Sequence, residues 1–195
     1  MKEEIQSAGN FVFDLIITNL VIILVSVVSL GTLAFSIGSI LTNELDKNYF
    51  NQDDSGSIVN GLKMLKDNFI DILTNNIFHL IFVGILLLIS ISLKDTLQIV
   101  SIALNSFLIM FEISFWIIYL NYEYTTTHKY MLAFNMAIRS LLLGVIGYIV
   151  LLVIVLTFFN GAYYYLFFIP AGYILVLMII QKKIISKYIN KLQGA

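Results

Sequence analysis

The sequence of 195 residues contains no cysteine. This absence excludes disulfide bonds, catalysis by a thiolate and metal sites with cysteine ligands. It does not indicate the redox compartment, because a chain without thiols is compatible with an oxidising or a reducing environment.

Charged residues are scarce as well. Only 12% of the residues are Asp, Glu, Lys or Arg, whereas 59% are apolar and the mean hydropathy is +0.94. Soluble domains have about 25% charged and about 45–50% apolar residues. A chain so poor in charge cannot surround itself with water-binding groups, so the bilayer is its expected solvent. The net charge of −1 and the lack of a basic patch argue against binding to nucleic acid.

Sequence motifs of enzymes and metal sites are missing too. Neither the nucleotide-binding pattern G-x-x-x-x-G-K-[ST] nor the nucleophile pattern G-x-S-x-G occurs in the sequence. The two histidines, His79 and His128, have no metal-binding spacing. We therefore expect no enzymatic activity, no cofactor and no metal.

Long apolar segments are what the sequence has instead. They predict an all-α membrane bundle of about five transmembrane helices, formed as a single domain over residues 1–195. The expected spans are residues 11–30, 77–93, 97–121, 134–159 and 163–180. The expected cytoplasmic parts are the polar connections 42–76 and 122–133 and a basic tail over 181–195.

Residues 11–41 fit two arrangements, because this apolar stretch is too long for one straight span and too short for two good ones. We expect one span to Leu30, a bend marked by Gly31, and a short helical continuation at or beyond the interface. The alternative is a helical hairpin, which would move the N-terminus to the other side of the membrane.

Positively charged residues predict the orientation, since cytoplasmic loops of membrane proteins carry an excess of Lys and Arg. In the five-span topology only Lys2 and Lys94 fall on one side. The opposite side holds Lys47, Lys63, Lys66, Lys129, Arg139, Lys182, Lys183, Lys187 and Lys191. This bias predicts a cytoplasmic C-terminus and an N-terminus outside.

An amphipathic helix is expected over residues 58–73. Its apolar stripe consists of Ile58, Leu62, Leu65, Phe69 and Ile72, which follow one another in steps of four and three. Such a helix either lies in the membrane interface with its apolar side down, or offers a docking face to a cytoplasmic partner. The polar residues that we expect to contact such a partner are Glu123, Lys129, Lys63 and Lys66.

Three polar residues fall inside predicted spans. Glu112 lies about 13 Å from the end of the third span, where a charge costs at least about 2.5–3.5 kcal/mol unless it is paired or protonated. If the third and fourth spans form a tight antiparallel hairpin, Arg139 lies level with Glu112, and the pair would fix the register of the two helices. Asn19 is expected to form a hydrogen bond between helices. The alternative is a polar path for a solute or a proton through Glu112, Arg139 and Asn19.

Several short motifs are shared with a known family. They are YEYT at 122–125, Leu132-Ala133, Ala137-Ile138-Arg139, GLKMLKDNF at 61–69 and the closing FFIPAGYILVLMIIQKKIISKYI. Together they resemble the YesL family, small bacterial membrane proteins whose domain has no known function. The family's Gly-x-x-Pro-Ala-Thr bend corresponds here to Gly31–Ser36 without the proline, and Glu112 lies outside every family motif. The resemblance implies a multi-pass protein of the bacterial cell membrane.

The resemblance also implies a role. Genes of the family often lie beside ABC-type carbohydrate importers and their two-component regulators. We therefore expect a non-catalytic membrane accessory in carbohydrate uptake, with a permease, an ATPase or a sensor kinase as its partner. The alternative from the residues is a small carrier or channel that uses the intramembrane polar path. A third hypothesis is an immunity protein against a bacteriocin. The substrate, the partner and the oligomeric state stay open.

Overall fold

The computed structural model describes residues 2–28, 34–50, 58–74, 77, 97–159 and 169–193, and every element in these ranges is helical. The helices are α1 (Lys2–Val28), α2 (Ala34–Leu45), α3 (Ile58–Asp67), α4 (69–74), α5 (Leu97–Asn121), α6 (Thr126–Arg139), α7 (Leu141–Phe159) and α8 (Ile169–Gln193). A π-helical turn, Asp46–Phe50, follows α2 directly. The prediction of an all-α chain is thus confirmed for the described residues.

Three of the described helices are long and apolar enough to cross a membrane. The crossing segments are Ser7–Leu24 in α1, Ile99–Asn121 in α5 and Ile169–Asn190 in α8. A fourth crossing is formed if α6 and α7 count as one bent span. The chain is therefore compatible with a membrane protein. The predicted count of five is not confirmed, and the predicted span 77–93 lies outside the described residues except for Ile77.

The predicted fourth span, residues 134–159, is not one straight helix. The structure divides it at Ser140, where α6 and α7 meet at an angle of 75°. The hydroxyl and the amide of Ser140 both donate hydrogen bonds to the carbonyl of Met136, at 2.6 and 3.0 Å. The backbone of Ser140 is non-helical, with φ −102° and ψ 17°, so α6 ends there and α7 begins in a new direction.

The short helix α2 folds back along α1. The hydroxyl of Tyr49 donates a hydrogen bond to Asp14 Oδ2 at 2.6 Å, and the ring of Tyr49 packs against Phe11 at 5.1 Å. Ile22, further along α1, lies against Gly38 near the start of α2. The two helices therefore run antiparallel. Among the described residues, α1 and α2 form the helical hairpin that the sequence left as the alternative, and α2 packs inside the bundle instead of continuing α1 beyond a bend.

The hairpin places both ends of the described chain at one end of the bundle. The Tyr49–Asp14 contact lies three residues beyond Asp46, which bonds to Lys182 in the C-terminal half of α8. At the other end, Asn19 of α1 meets Ala171 at the start of α8. Because α1 and α8 are antiparallel, the N-terminal end of α1 and the C-terminal end of α8 lie at the same end of the bundle, whereas the five-span topology placed the termini on opposite sides; the side of the membrane on which each terminus lies stays a prediction.

We expect single cysteines near the two termini to react from the same side of the membrane. Gly9 and Lys187 are exposed, and the chain has no other cysteine that would react. Gly9→Cys and Lys187→Cys should both be labelled by an impermeant maleimide in vesicles of one orientation and protected in the other. Labelling from opposite sides would contradict the hairpin.

A row of aromatic side chains joins α5 to α6. Phe107, Phe111, Phe115 and Tyr119 follow one another every fourth residue, so they share one face of α5. Two rings of α6 pack against this row, Tyr130 on Phe115 at 4.6 Å and Phe134 on Phe107 at 5.3 Å. The helices α5 and α6 therefore run antiparallel, but their register differs from the one that would place Arg139 level with Glu112. Since Phe134 is level with Phe107, Arg139 lies beyond Phe107 and more than one helical turn from Glu112.

Candidate functional site

Three helices, α2, α5 and α8, run parallel and bring their polar side chains together. The contacts of α2 and the π-helical turn with α8 advance by four residues in each partner. They are Gly38–Ile174, Thr42–Met178 and Asp46–Lys182. Between α2 and α5 they advance from Ser36–Glu112 to Asn43–Asn121. We call the polar residues on these three surfaces the polar seam: Ser36, Ser39, Thr42, Asn43, Asp46, Glu112, Ser114, Asn121, Gln181 and Lys182.

The short length and the polar side chains of α2 explain why it lies inside the bundle. Its 12 residues extend about 18 Å, which is too short for a hydrocarbon layer of about 30 Å. Its polar side chains, Ser36, Ser39, Thr42, Asn43 and Glu44, are all buried. Polar groups in lipid have no water to bond with, so α2 is stable there only because α1, α5 and α8 surround it.

Glu112 lies at one end of the polar seam. Its side chain is 2% exposed, and the hydroxyl of Ser36 donates a hydrogen bond to Oε2 at 3.4 Å. Ser36 belongs to the first turn of α2, where the helix dipole carries its positive end. The contact therefore places a hydroxyl donor and the N-terminal end of α2 beside the Glu112 carboxylate.

Ion pairs close the other end of the polar seam. Lys182 Nζ donates to Asp46 Oδ2 at 2.6 Å, and Lys47 Nζ donates to Glu44 Oε1 at 3.0 Å. Both carboxylates are buried. The π-helical turn is also tied to α1 through Tyr49, and burial together with the Asp14 carboxylate raises the pKa of the Tyr49 hydroxyl above its usual range. The Asp46–Lys182 pair thus joins the π-helical turn to α8 at this end, whereas the Lys47–Glu44 pair is local to α2 and the turn.

Several polar atoms between these two ends have no hydrogen-bond partner among the described residues. They are Ser39 Oγ, Asn43 Nδ2 and Gln181 Oε1 in the polar seam, together with Trp116 Nε1 one turn after Glu112. Ser39 lies between the Glu112 and Asn121 contacts of α2, and Gln181 is held by Ser114 at 2.7 Å. Buried polar atoms in native proteins are nearly always bonded to protein or to ordered water. The polar seam therefore has bonding capacity for water or for a small polar ligand.

The chemistry of the polar seam suits a cation better than an anion. Its interior end offers the Glu112 carboxylate and the hydroxyl oxygens of Ser36 and Ser39. Oxygen ligands of this kind bind protons and hard cations. No group of three or more His, Cys, Asp or Glu that could hold a metal ion occurs in the described part of the chain.

The residues of the predicted polar path do not come together. Arg139 is exposed and its guanidinium stacks on the ring of Tyr188 at 4.4 Å, so the expected pair with Glu112 is not formed among the described residues. The physical reason is the helix register that the aromatic rings of α5 and α6 impose. Asn19, as expected, forms a bond between helices, because its Oδ1 accepts a hydrogen bond from the amide of Ala171 at 2.7 Å.

The four residues considered for contact with a cytoplasmic partner lie in different environments. Lys63 and Lys66 are exposed on α3, and Glu123 is exposed in the loop after α5. Lys129 is half-buried, with its Nζ 4.3 Å from the centre of the Tyr119 ring. Their role in binding a partner stays a prediction.

Sequence reasoning missed the polar residues of α2, because it placed this segment at the interface. A signal was present in their spacing. Ser36, Ser39 and Asn43 fall at helical steps of three and four on the side that meets α5, while Gly38, Thr42 and Asp46 recur every four on the side that meets α8. Two adjacent polar stripes on an otherwise apolar helix indicate contact with other helices rather than with lipid.

Comparison with known proteins provides no relative from which a role could be transferred: no family model, no curated protein and no solved structure matches the chain. The resemblance to the YesL family therefore stays a prediction.

Proposed function

We propose that this protein is a small membrane carrier or channel for a cation, the proton being the simplest candidate, and that the cation follows the polar seam. One observation carries the proposal. The buried carboxylate of Glu112 on α5 lies beside the start of α2, and further along α2 the buried atoms Ser39 Oγ and Asn43 Nδ2 have no hydrogen-bond partner among the described residues. An ionisable side chain inside a membrane span is expensive to maintain, and such residues mark substrate and ion pathways and proton relays.

Glu112 supplies the binding step in this proposal. Its carboxylate accepts the proton or the cation, and the hydroxyl of Ser36 and the positive end of α2 stabilise the charge when the site is empty. The next polar groups along the path are Ser39 and Asn43, which take up the water that accompanies the cation.

The Asp46–Lys182 pair is the barrier at the far end. It must separate, or be bypassed, before a cation can leave between α2 and α8. From Ser36 to Asp46 the path is about 15 Å long, which is about half the thickness of the hydrocarbon layer. The polar seam between Glu112 and the Asp46–Lys182 pair is therefore long enough to carry a cation across about half of this layer.

Flux through the lone protein tests the proposal. The purified chain is reconstituted into liposomes that contain a pH-sensitive dye, and a potassium gradient with valinomycin drives the uptake of protons. We expect acidification faster than in protein-free liposomes, and sodium or potassium flux is measured with the corresponding dyes in separate liposomes without valinomycin. If neither protons nor these cations move faster than in protein-free liposomes, the proposal is wrong.

The accessory role in carbohydrate uptake is a second proposal, supported by the exposure of Glu123, which leaves its carboxylate accessible to a partner. Cross-linking in native membranes, followed by purification and mass spectrometry, should then recover an importer permease, an ATPase or a sensor kinase. Recovery of the chain alone would contradict this role without affecting the flux experiment.

A further inference from the structure

The segment α3–α4 has apolar side chains on two of its faces. The sequence predicted one stripe, but the structure separates its members. Ile58 and Ile72 are buried against the bundle, whereas Leu62 and Phe69 are 44% and 55% exposed. With Leu62 and Phe69, the exposed apolar side chains are Val59, Ile70 and Leu73. We call these five residues, together with Lys63 and Lys66, the outward face.

The opposite side of α3–α4 is held firmly to the bundle. Gly61 lies so close to Leu41 and Glu44 of α2 that a side chain at position 61 would collide with Leu41. Tyr119 of α5 bonds to Asn68 Oδ1 at 2.6 Å and to Asp71 Oδ2 at 2.7 Å. These contacts are near the ends of α2 and α5, so the outward face lies at the same end of the bundle as the Asp46–Lys182 pair.

The charges of the segment are distributed unevenly around its axis. Lys66 falls four residues after Leu62 and four before Ile70, which places it within the exposed apolar arc. Lys63 falls four residues after Val59, at the border of the arc. Asp71 is turned away to Tyr119, and Asp67 lies beyond Lys63 on the side away from the apolar arc. Positive charge therefore accompanies the apolar side chains, and negative charge does not.

This combination fits a lipid surface better than a protein partner. Exposed apolar patches of this kind mark contacts with proteins or membranes. A helix that is apolar on one side and carries lysines at the border lies in the interface, with its apolar side chains about 5–10 Å below the headgroups. Lysine stems follow the apolar surface while their ammonium groups reach the headgroup phosphates. The apolar residues after 77 continue the chain toward a predicted span, which keeps the segment near the bilayer.

We propose that the outward face lies in the membrane interface at the end of the bundle that carries the basic tail, and that Lys63 and Lys66 bind anionic lipid headgroups there. The proposal concerns a lipid site outside the polar seam, and it holds whether or not the chain transports a cation.

A spin label on the outward face tests the proposal directly, because the chain contains no cysteine of its own. Ile70→Cys is labelled in the full chain and reconstituted into vesicles of phosphatidylcholine alone or with phosphatidylglycerol. Collisions of the label with oxygen, which concentrates in lipid, are compared with collisions with a water-soluble nickel chelate. We expect oxygen to dominate at position 70, more strongly with phosphatidylglycerol, and nickel to dominate in the matched variant Asp67→Cys. Nickel dominance at both positions in both vesicles would overturn the proposal and leave the face to a protein partner.

Two further comparisons separate the lipid site from its alternatives. In the Ile70→Cys background, Lys63→Gln with Lys66→Gln should abolish the difference between the two vesicle types. The matched pair Lys183→Gln with Lys187→Gln, which removes two exposed lysines of α8, should preserve it. A difference that survives the loss of Lys63 and Lys66 would overturn the assignment of headgroup binding to them. Dipolar broadening between labels on two copies would instead show that a second copy covers the face.

Discussion

Replacement of Glu112 by Gln should reduce cation flux in liposomes at least tenfold while the protein stays folded. Gln has nearly the size of Glu, and its amide oxygen still accepts the hydrogen bond from Ser36, so packing in the polar seam is preserved. The variant lacks the group that takes up and releases a proton or binds a cation inside the span. The measurement is the initial rate of dye response under a fixed valinomycin potential, at equal amounts of reconstituted protein.

The matched control for this variant is Glu123→Gln. It makes the same chemical change at an exposed position in the loop after α5, and the flux should stay within about twofold of the unmodified protein. Thermal unfolding in detergent must confirm that Glu112→Gln is folded. A folded Glu112→Gln protein with undiminished flux would show that Glu112 is not the binding group, even if the chain conducts.

Breaking the Asp46–Lys182 pair should destabilise the protein, and the two single variants should differ. Lys182→Met removes the cation bonded to a carboxylate that is only 8% exposed, and loss of one partner of a buried pair costs about 3–5 kcal/mol. Asp46→Asn leaves a lysine that is already 28% exposed and can turn its ammonium group toward water. That variant should cost about 1 kcal/mol, within the range of exposed pairs. We expect Lys182→Met to lower the unfolding temperature in detergent by at least about 6 °C.

Lys183→Met is the control, since Lys183 is the exposed neighbour on the same helix, and it should leave the unfolding temperature nearly unchanged. The double variant Asp46→Asn with Lys182→Met should recover most of the loss, because the carboxylate that Lys182→Met leaves unpaired is then absent as well. Equal losses from both single variants would mean that the pair itself, rather than the burial of Asp46, determines the stability.

The sequence predicted the position of a helix correctly where that helix is a single long apolar segment. The predicted span 97–121 coincides with α5, and the basic tail continues the last span as one helix, α8. Average hydropathy identifies such helices because each is long enough to cross the bilayer by itself. It also showed that Glu112 is an unusual residue, since a carboxylate inside a span is rare.

The sequence was misleading where the structure depends on contacts between distant segments. The position of α2 inside the bundle follows from the contacts of α2 with Glu112 and Met178 and from the contact of the π-helical turn with Lys182. A local sequence pattern cannot indicate contacts between such distant residues. The pairing of Glu112 with Arg139 assumed a hairpin register that the packing of Phe107 on Phe134 does not allow. A break such as that at Ser140 is equally hard to foresee, because serine is tolerated inside many helices.

The polar helix α2 is synthesised long before the helices that shelter it. Glu112 follows Ser36 by 76 residues, and Lys182 follows Asp46 by 136. While the ribosome is still extending the chain, α2 cannot settle in hydrocarbon, because the partners of its hydroxyls and carboxylates do not yet exist. Insertion of this protein must therefore end with a rearrangement in which α8 arrives and α2 is enclosed. A chain truncated before residue 169 should remain an incompletely inserted substrate for membrane proteases, even though most of its apolar segments are already present.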